Sequence, residues 1–265
     1  MPPDYHTHTP LCKHAVGHPR EYAAHAAALG LPELGISDHS PMREPFDDWR
    51  MSWEEFPIYL GMVEEARAEF PMLPVRLGLE VDYLPGHETW IEELSQAADF
   101  DYLIGAVHYL APGWDVDNPK HLSRFAEGNV EDIWRLYFKL YEEAIRTRLF
   151  DFMAHPDLPK KFGHRPIGDL RRFYEPVIQA LVDTGTAFEI NTAGLRKDVR
   201  EMYPAREFLT LARSANVPLL INSDAHAPGE VGADFTSAMA LAREVGYTET
   251  LRFKKRQRRT APLPH

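Results

Sequence analysis

The chain has 265 residues, 44% of them hydrophobic and 26% charged, with a formal net charge of -11. That balance supplies a substantial globular core, argues against bulk disorder and gives no long-range attraction for nucleic-acid phosphates. One cysteine cannot form an internal disulfide, the first residues lack the basic and apolar regions of a secretory signal, and no apolar run approaches the roughly 18 residues of a membrane span. The expectation is a cytoplasmic protein with a small-molecule partner, no nucleic acid and no membrane; nothing in the sequence fixes its oligomeric state.

In chain order, apolar and often β-branched runs ending in polar residues predict seven strands. They lie near 4–8 (DYHTH), 33–39 (ELGISDH), 74–82 (PVRLGLEVD), 102–108 (YLIGAVH), 150–155 (FDFMAH), 187–191 (AFEIN) and 218–226 (PLLINSDAH). Between them, helical patterns begin near Pro19, Ser52, Val130 and Leu170, and another ends at Gly246; Pro57 and Pro176 mark first turns or kinks. No repeat or Gly/Ser linker interrupts the alternation, so residues 1–250 read as one domain. The basic, proline-containing stretch 251–265 reads as a solvated or partly disordered tail, the alternative being contact with a partner or with the acidic body of the fold.

Strand and helix alternate throughout, which predicts an α/β fold with a parallel sheet. A closed barrel is preferred to an open sheet, because residues able to hold metals stand at the C-terminal end of nearly every strand and a barrel brings those ends to one rim. These are His6, His8, His39, Glu80, His108, His155, Asp224 and His226, with His14 in the loop after the first strand. Residues i and i+2 of an extended chain point the same way, so His6 with His8, and Asp224 with His226, can converge on one ion. Without cations, so many imidazoles near one axis would compete for partners at about 1–3 kcal/mol per unsatisfied group. Three protein ligands per catalytic ion make nine residues enough for up to three ions, and imidazole with carboxylate suits zinc, iron or manganese. Cys12 ranks below these residues. His18 is expected to cap a helix or lie on the surface, and His25, His87, His121, His164 and His265 are not expected to bind metal.

HTH at 6–8, SDH at 37–39, GLE at 78–80, GAVH at 105–108, AHPD at 154–157 and SDAH at 223–226 together resemble the PHP (polymerase and histidinol phosphatase) superfamily. YHTHTPLCKHA, GISDHSPM and HPDLPKKFG are most similar to its monofunctional histidinol-phosphatase branch. The resemblance implies a distorted (β/α)7 TIM-like barrel with three divalent ions at the C-terminal rim. His6, His8, Glu80 and Asp224 would hold one ion, and His14, His39 and His226 a second. Glu80 would bridge to a third ion, also held by His108 and His155. Asp38 would orient a neighbouring histidine. The implied reaction is hydrolysis of a small phosphate ester, L-histidinol phosphate, by a hydroxide bridging the metals, with Glu80, Asp224 and His226 at the catalytic centre.

Arg196 and Lys160, in loops after the sixth and fifth strands, are the expected phosphate-binding cations; Asp82, Glu44, Asp47 and Trp114 could meet the rest of the substrate. Three other readings compete: a PHP phosphoesterase for nucleotides or other small phosphate esters, an amidohydrolase-like metal hydrolase, and a non-catalytic metal-binding scaffold.

Overall fold

A computed structural model describes residues 1–264; His265 lies outside the described residues. The strands are β1 (Leu34–Ile36), β2 (Val75–Leu77), β3 (Glu80–Asp82), β4 (Ile104–Ala106), β5 (Tyr109–Ala111), β6 (Trp114–Asp115), β7 (Phe152–Met153), β8 (Ala187–Asn191), β9 (Leu219–Asn222), β10 (Glu249–Lys254) and β11 (Gln257–Pro262). The helices are α1 (Pro19–Leu29), α2 (Phe56–Glu69), α3 (Glu88–Ser95), α4 (Leu122–Glu127), α5 (Val130–Arg146), α6 (Arg171–Thr184), α7 (Arg206–Ser214) and α8 (Phe235–Glu244).

Parallel pairing runs β3-β4-β7-β8-β9, with β1 beside β2. The predicted first strand is an extended segment that closes the ring: Asp4 bridges Leu34 on one side and Thr7 bridges Ala225 on the other. His39 bridges Glu80, and β2 with β3 form one run interrupted at Gly78 and Leu79. The result is a distorted TIM-like barrel of seven strand positions with helices packed outside, and the interruptions are the distortion. No helix is long and apolar enough to cross a membrane.

Local sequence sets the helix ends. His18 caps α1, accepting from the Arg20 N–H, while the Glu21 carboxylate accepts from the His18 N–H; Pro19 opens the helix and Gly30 closes it at φ 70°. Pro57 lies in the first turn of α2, whereas Pro176 is inside α6.

Inside the barrel, away from the rim, Tyr5, Tyr102, Ile104, Phe152 and Leu220 pack with Leu251 and Phe253. A side chain at Gly35 or Gly78 would strike the Tyr102 ring, with Cβ at 2.0 Å and 2.4 Å from its nearest atoms, so both positions need glycine.

Leu251 and Phe253 come from the stretch expected to be a tail, and here the structure corrects the sequence reading. Strands β10 and β11 form an antiparallel hairpin whose alternation puts Leu251 and Phe253 inward, with Phe253 ring centroids 5.8 Å from Phe152 and 6.2 Å from Tyr5. The turn residues Lys255 and Arg256 both have positive φ, 51° and 62°, as the tight type I′ hairpin turn requires. They lack the Asn-Gly signature of that turn, which is why the sequence does not announce it. Asp101 holds the turn, accepting the Lys255 N–H on its carboxylate and the Arg256 N–H on its carbonyl, and Arg256 pairs with Asp151. Arg252 and Arg259 reach Glu33 at 3.4 and 3.3 Å. The basic run thus neutralises acidic groups at the base of the barrel and seats an aromatic plug.

Phe253→Ala is expected to cost about 3–5 kcal/mol in denaturant unfolding, as for other buried Phe truncations. Lys254→Ala, on the exposed face, should stay within about 0.5 kcal/mol.

Candidate metal centre and active site

Backbone bonds between the first and last barrel strands assemble the rim. The His8 N–H donates to the Ala225 carbonyl at 2.9 Å and the Ala225 N–H to the His6 carbonyl at 3.1 Å, which sets HTH against SDAH. Asp224 and His155 take positive φ, 52° and 23°. Such backbone costs about 1–3 kcal/mol for a residue with a side chain and is kept where neighbours fix it. The His155 N–H is tied to the Glu189 carboxylate at 3.0 Å.

All nine side chains named from the sequence meet here. Glu80, 1% exposed, is the hub. Its Oε1 lies 2.9 Å from His155 Nε2, 3.4 Å from His6 Nε2 and 3.7 Å from His108 Nε2; its Oε2 lies 2.8 Å from His39 Nδ1 and 3.7 Å from His8 Nε2. Asp224 Oδ1 is 3.1 Å from His8 Nε2 and 3.7 Å from His6 Nε2. His14 Nε2 and His226 Nε2 face each other at 3.0 Å, and the His8 and His39 rings are 4.4 Å apart.

These contacts fit bound cations better than hydrogen bonds. His6 Nε2, His39 Nδ1, His155 Nδ1 and Glu80 Oε2 are buried with no hydrogen-bond partner among the described residues. The His39–Glu80 pair is in that set despite its 2.8 Å separation, because its alignment is wrong for a hydrogen bond. Ligands of a tetrahedral ion with bonds of 2.0–2.1 Å stand roughly 3.3–3.4 Å apart, which is the middle of the spread around Glu80 and Asp224.

A layer of acceptors orients the imidazoles. Nδ1 of His6 donates to Glu189 at 3.1 Å, that of His8 to Asp38 at 3.4 Å and that of His108 to Asp82 at 2.8 Å. Nδ1 of His14 and His226 donates to the carbonyls of Cys12 and Asp224. Each of these five rings therefore turns Nε2 toward the cluster, the arrangement that fixes tautomer and basicity in metal-binding histidines. Glu189 also accepts from the Asn191 and Asn222 side-chain amides, at 2.7 and 2.8 Å. Asp38 takes the expected orienting role. Glu189 was not anticipated, and Asp82 has a different role from the substrate contact considered for it.

Charge follows from this packing. Burial alone would disfavour ionised Glu80 and Asp224, yet the surrounding histidines overcome it and hold both carboxyls well below their ordinary range. Burial likewise opposes charge on His8 and His108, but Asp224 and Asp38 raise His8 to about 9, and Asp82 with Glu80 raises His108 to about 10. His39 is lowered to about 4 by burial, with the nearby charges of His8 and His108 adding to it. Cys12 lies near His14 and His226, but burial and Asp38 push its thiol well above the ordinary range, so it stays a poor ligand.

The two expected phosphate cations do not line the cavity beside the cluster. Lys160 is fully buried, 3.0 Å from Asp157 Oδ2 and donating to the Met202 carbonyl at 2.7 Å; its side chain turns under the loop into a carboxylate niche. Arg196 donates to the Ser223 carbonyl at 2.6 Å and lies 3.4 Å from Glu230, whose carboxylate also accepts the His226 N–H. It braces the loop carrying Asp224 and His226. The next residue in each loop, Lys161 and Lys197, lines the cavity of about 210 Å³ instead, together with Asp117 and Tyr203. Lys161 pairs with Asp117 at 2.9 Å, while Lys197 has no ion-pair partner among the described residues. Asp47 and Asp82 are both engaged by Arg50, at 2.7 and 2.9 Å, and Trp114 lies under Arg124. Neither carboxylate is free for substrate.

The PHP domain family matches residues 4–193. A Deinococcus radiodurans protein named probable histidinol-phosphatase is 43% identical over 257 residues, 96% of this chain and 98% of the relative. A Bacillus subtilis histidinol-phosphatase is 27% identical, covering 86% of this chain and 95% of its own. The crystal structure of a Lactococcus lactis histidinol phosphate phosphatase, complexed with zinc, L-histidinol and phosphate, superposes with a TM-score of 0.83 at 20% identity, over 97% of this chain and 98% of that one.

Metal uptake by the stripped protein should release protons, because cations must displace those on His8 and His108. Both groups are protonated at neutral pH, so affinity rises with pH and levels off near about 10. Each proton displaced from an ion's ligands makes that ion's binding up to about 100-fold tighter at pH 8.5 than at pH 6.5. Chelator competition at the two values checks this; equal affinities would contradict it.

Proposed function

From the premise that this chain belongs to the PHP domain family, we propose that it is a metal-dependent phosphomonoesterase hydrolysing L-histidinol phosphate to L-histidinol and phosphate. The observation that carries the reading is the complete nine-residue cluster beside a cavity lined by Lys197, which has no ion-pair partner among the described residues, in a chain 43% identical over nearly its whole length to a relative named as a probable histidinol-phosphatase.

In this reading His6, His8, Glu80 and Asp224 would hold one divalent ion and His14, His39 and His226 another. A third would be held by Glu80 with His108 and His155. Zinc, iron and manganese all suit the donors. When bound, such ions supply Lewis acidity toward phosphate oxygens and lower the pKa of water toward neutrality. The chain's own residues do the rest. Lys197 adds positive charge on the cavity wall, the charge of Lys161 being met by Asp117, and in an acidic protein this concentrates attraction for a phosphate dianion at the rim. His6, His8, His39, Glu80, His108 and His155 are buried, while Asp224 and His226 are half-buried and His14 is exposed, so the cluster opens to solvent on that side only.

A second cavity of about 320 Å³ adjoins the first, sharing His14, His39, His108, Asp117 and Lys161. Its further lining includes Trp49 and the exposed carboxylate of Asp48, an aromatic face and a negative charge suited to an imidazole and an ammonium group. Phosphate at the cluster would leave the rest of the substrate facing this wall.

Side-by-side kinetics test the proposal. Histidinol phosphate should exceed a nucleoside monophosphate and an aryl phosphate in kcat/KM by about 100-fold or more, a margin one desolvated polar contact can supply. Glu80→Gln should lower turnover by on the order of 1000-fold with the fold retained. Equal, slow turnover of all three esters would defeat the histidinol assignment, and unchanged turnover in the variant would defeat the cluster.

A further inference from the structure

Tyr203 stands on the cavity wall with Glu80, His155 and Asp224. It is 2% exposed, and its hydroxyl is buried with no hydrogen-bond partner among the described residues. A buried phenol normally finds a partner, and leaving one unpaired destabilises a protein. The other cavity-lining polar side chains have uses already: the cluster, the Lys161–Asp117 pair, and the unpaired Lys197.

The surroundings fix the ring firmly. Tyr203 and Asn191 exchange two backbone hydrogen bonds, at 2.7 and 3.0 Å, which tie it to the end of β8. The buried Lys160 ammonium sits 5.3 Å from the ring centroid, a cation on its face. Gly194 leaves room at its edge: a Cβ there would lie 2.9 Å from the ring and 1.9 Å from the Glu201 carbonyl. Burial raises the phenol well above its ordinary range, and the carboxylates of Asp157, Asp117 and Asp224 add to this, so the hydroxyl remains a donor. Two of those carboxylates, Asp117 and Asp224, are themselves on the cavity wall.

We propose that the Tyr203 hydroxyl donates a hydrogen bond to a phosphoryl oxygen of the bound ester and of the phosphate product, and that Lys160 is a positioning residue holding the Tyr203 ring from behind. The inference rests on the phosphatase reading. It gives the buried Lys160 a task after its exclusion from direct phosphate contact, and it explains an otherwise costly unpaired hydroxyl: the partner arrives with the substrate. The donor is neutral and stays protonated, so it adds no charge to a pocket that must also release phosphate.

The test is Tyr203→Phe in the metal-loaded protein, comparing metal content, melting temperature, kcat/KM and inhibition by inorganic phosphate. The expected result is unchanged metal content, a melting temperature equal to or above wild type because an unpaired hydroxyl has gone, a drop in kcat/KM of about 10- to 100-fold, and weaker inhibition by phosphate. Unchanged kinetics would overturn the proposal, as would a lowered melting temperature, lost metal, or slowed turnover with phosphate inhibition intact, since each assigns the hydroxyl an internal role. Should wild type fail to turn over histidinol phosphate, the substrate reading falls. Calorimetric titration of both metal-loaded proteins with inorganic phosphate then still decides the hydroxyl's role: weaker binding by the variant sustains it, and equal binding refutes it.

Discussion

Glu80 is a fully buried carboxylate with five imidazoles within 3.7 Å of its two oxygens. Two oxygens cannot serve five nitrogens as hydrogen-bond acceptors in acceptable geometry, and several atoms around it stay unpaired among the described residues. Left to itself, such a centre would sacrifice stability to desolvated polar groups. Bound cations would change the sign of that term, because orphaned lone pairs around Glu80 could then serve as ligands. The positive-φ backbone at His155 and Asp224, the Glu189 hub with its two asparagines, and the Asp38 and Asp82 acceptors all serve to hold this crowded rim in place.

The barrel is secured at both ends by different physics. At the rim, polar groups converge and wait for charge. At the base, Tyr5, Tyr102, Phe152 and Phe253 form a dry plug, and arginines from the last hairpin meet Glu33 and Asp151 around it. The first strand is one of the links between the two ends. Tyr5, packed in the plug and bonded through its hydroxyl to Glu33, is next to His6 in the cluster. Packing at the base therefore fixes the first strand whose tip carries His6 and His8.

Much of this was legible from sequence because the ligands occupy strand ends. There a periodic apolar run stops at a residue with chemistry, so the seven strand positions and eight of the nine cluster side chains could be read together, while His14, in a loop, was supported by the family resemblance. What escaped reading lacks such a boundary signal. Glu189 sits inside AFEIN, which looks like an ordinary core strand, although a charged residue within a buried strand is itself unusual enough to flag. Asp82 lies two residues after Glu80 on the same strand, so the period-two rule that paired His6 with His8 could have brought it to the site. Lys160 and Arg196 were misjudged because a loop's charge does not reveal its direction; in both loops the following lysine faces the cavity. The hairpin was read as a tail because its tight turn is built from Lys and Arg, held by two aspartates distant in sequence.

The central claim, carried by the proposed function, is that the rim would hold three divalent ions, two of them sharing Glu80. Anomalous diffraction from crystals of the metal-loaded protein, recorded on both sides of the relevant absorption edges, measures this directly. The account predicts three peaks: one among His6, His8, Glu80 and Asp224, one among His14, His39 and His226, and one among Glu80, His108 and His155. Fully loaded crystals with a single peak, or with no peak beside Glu80, would contradict it.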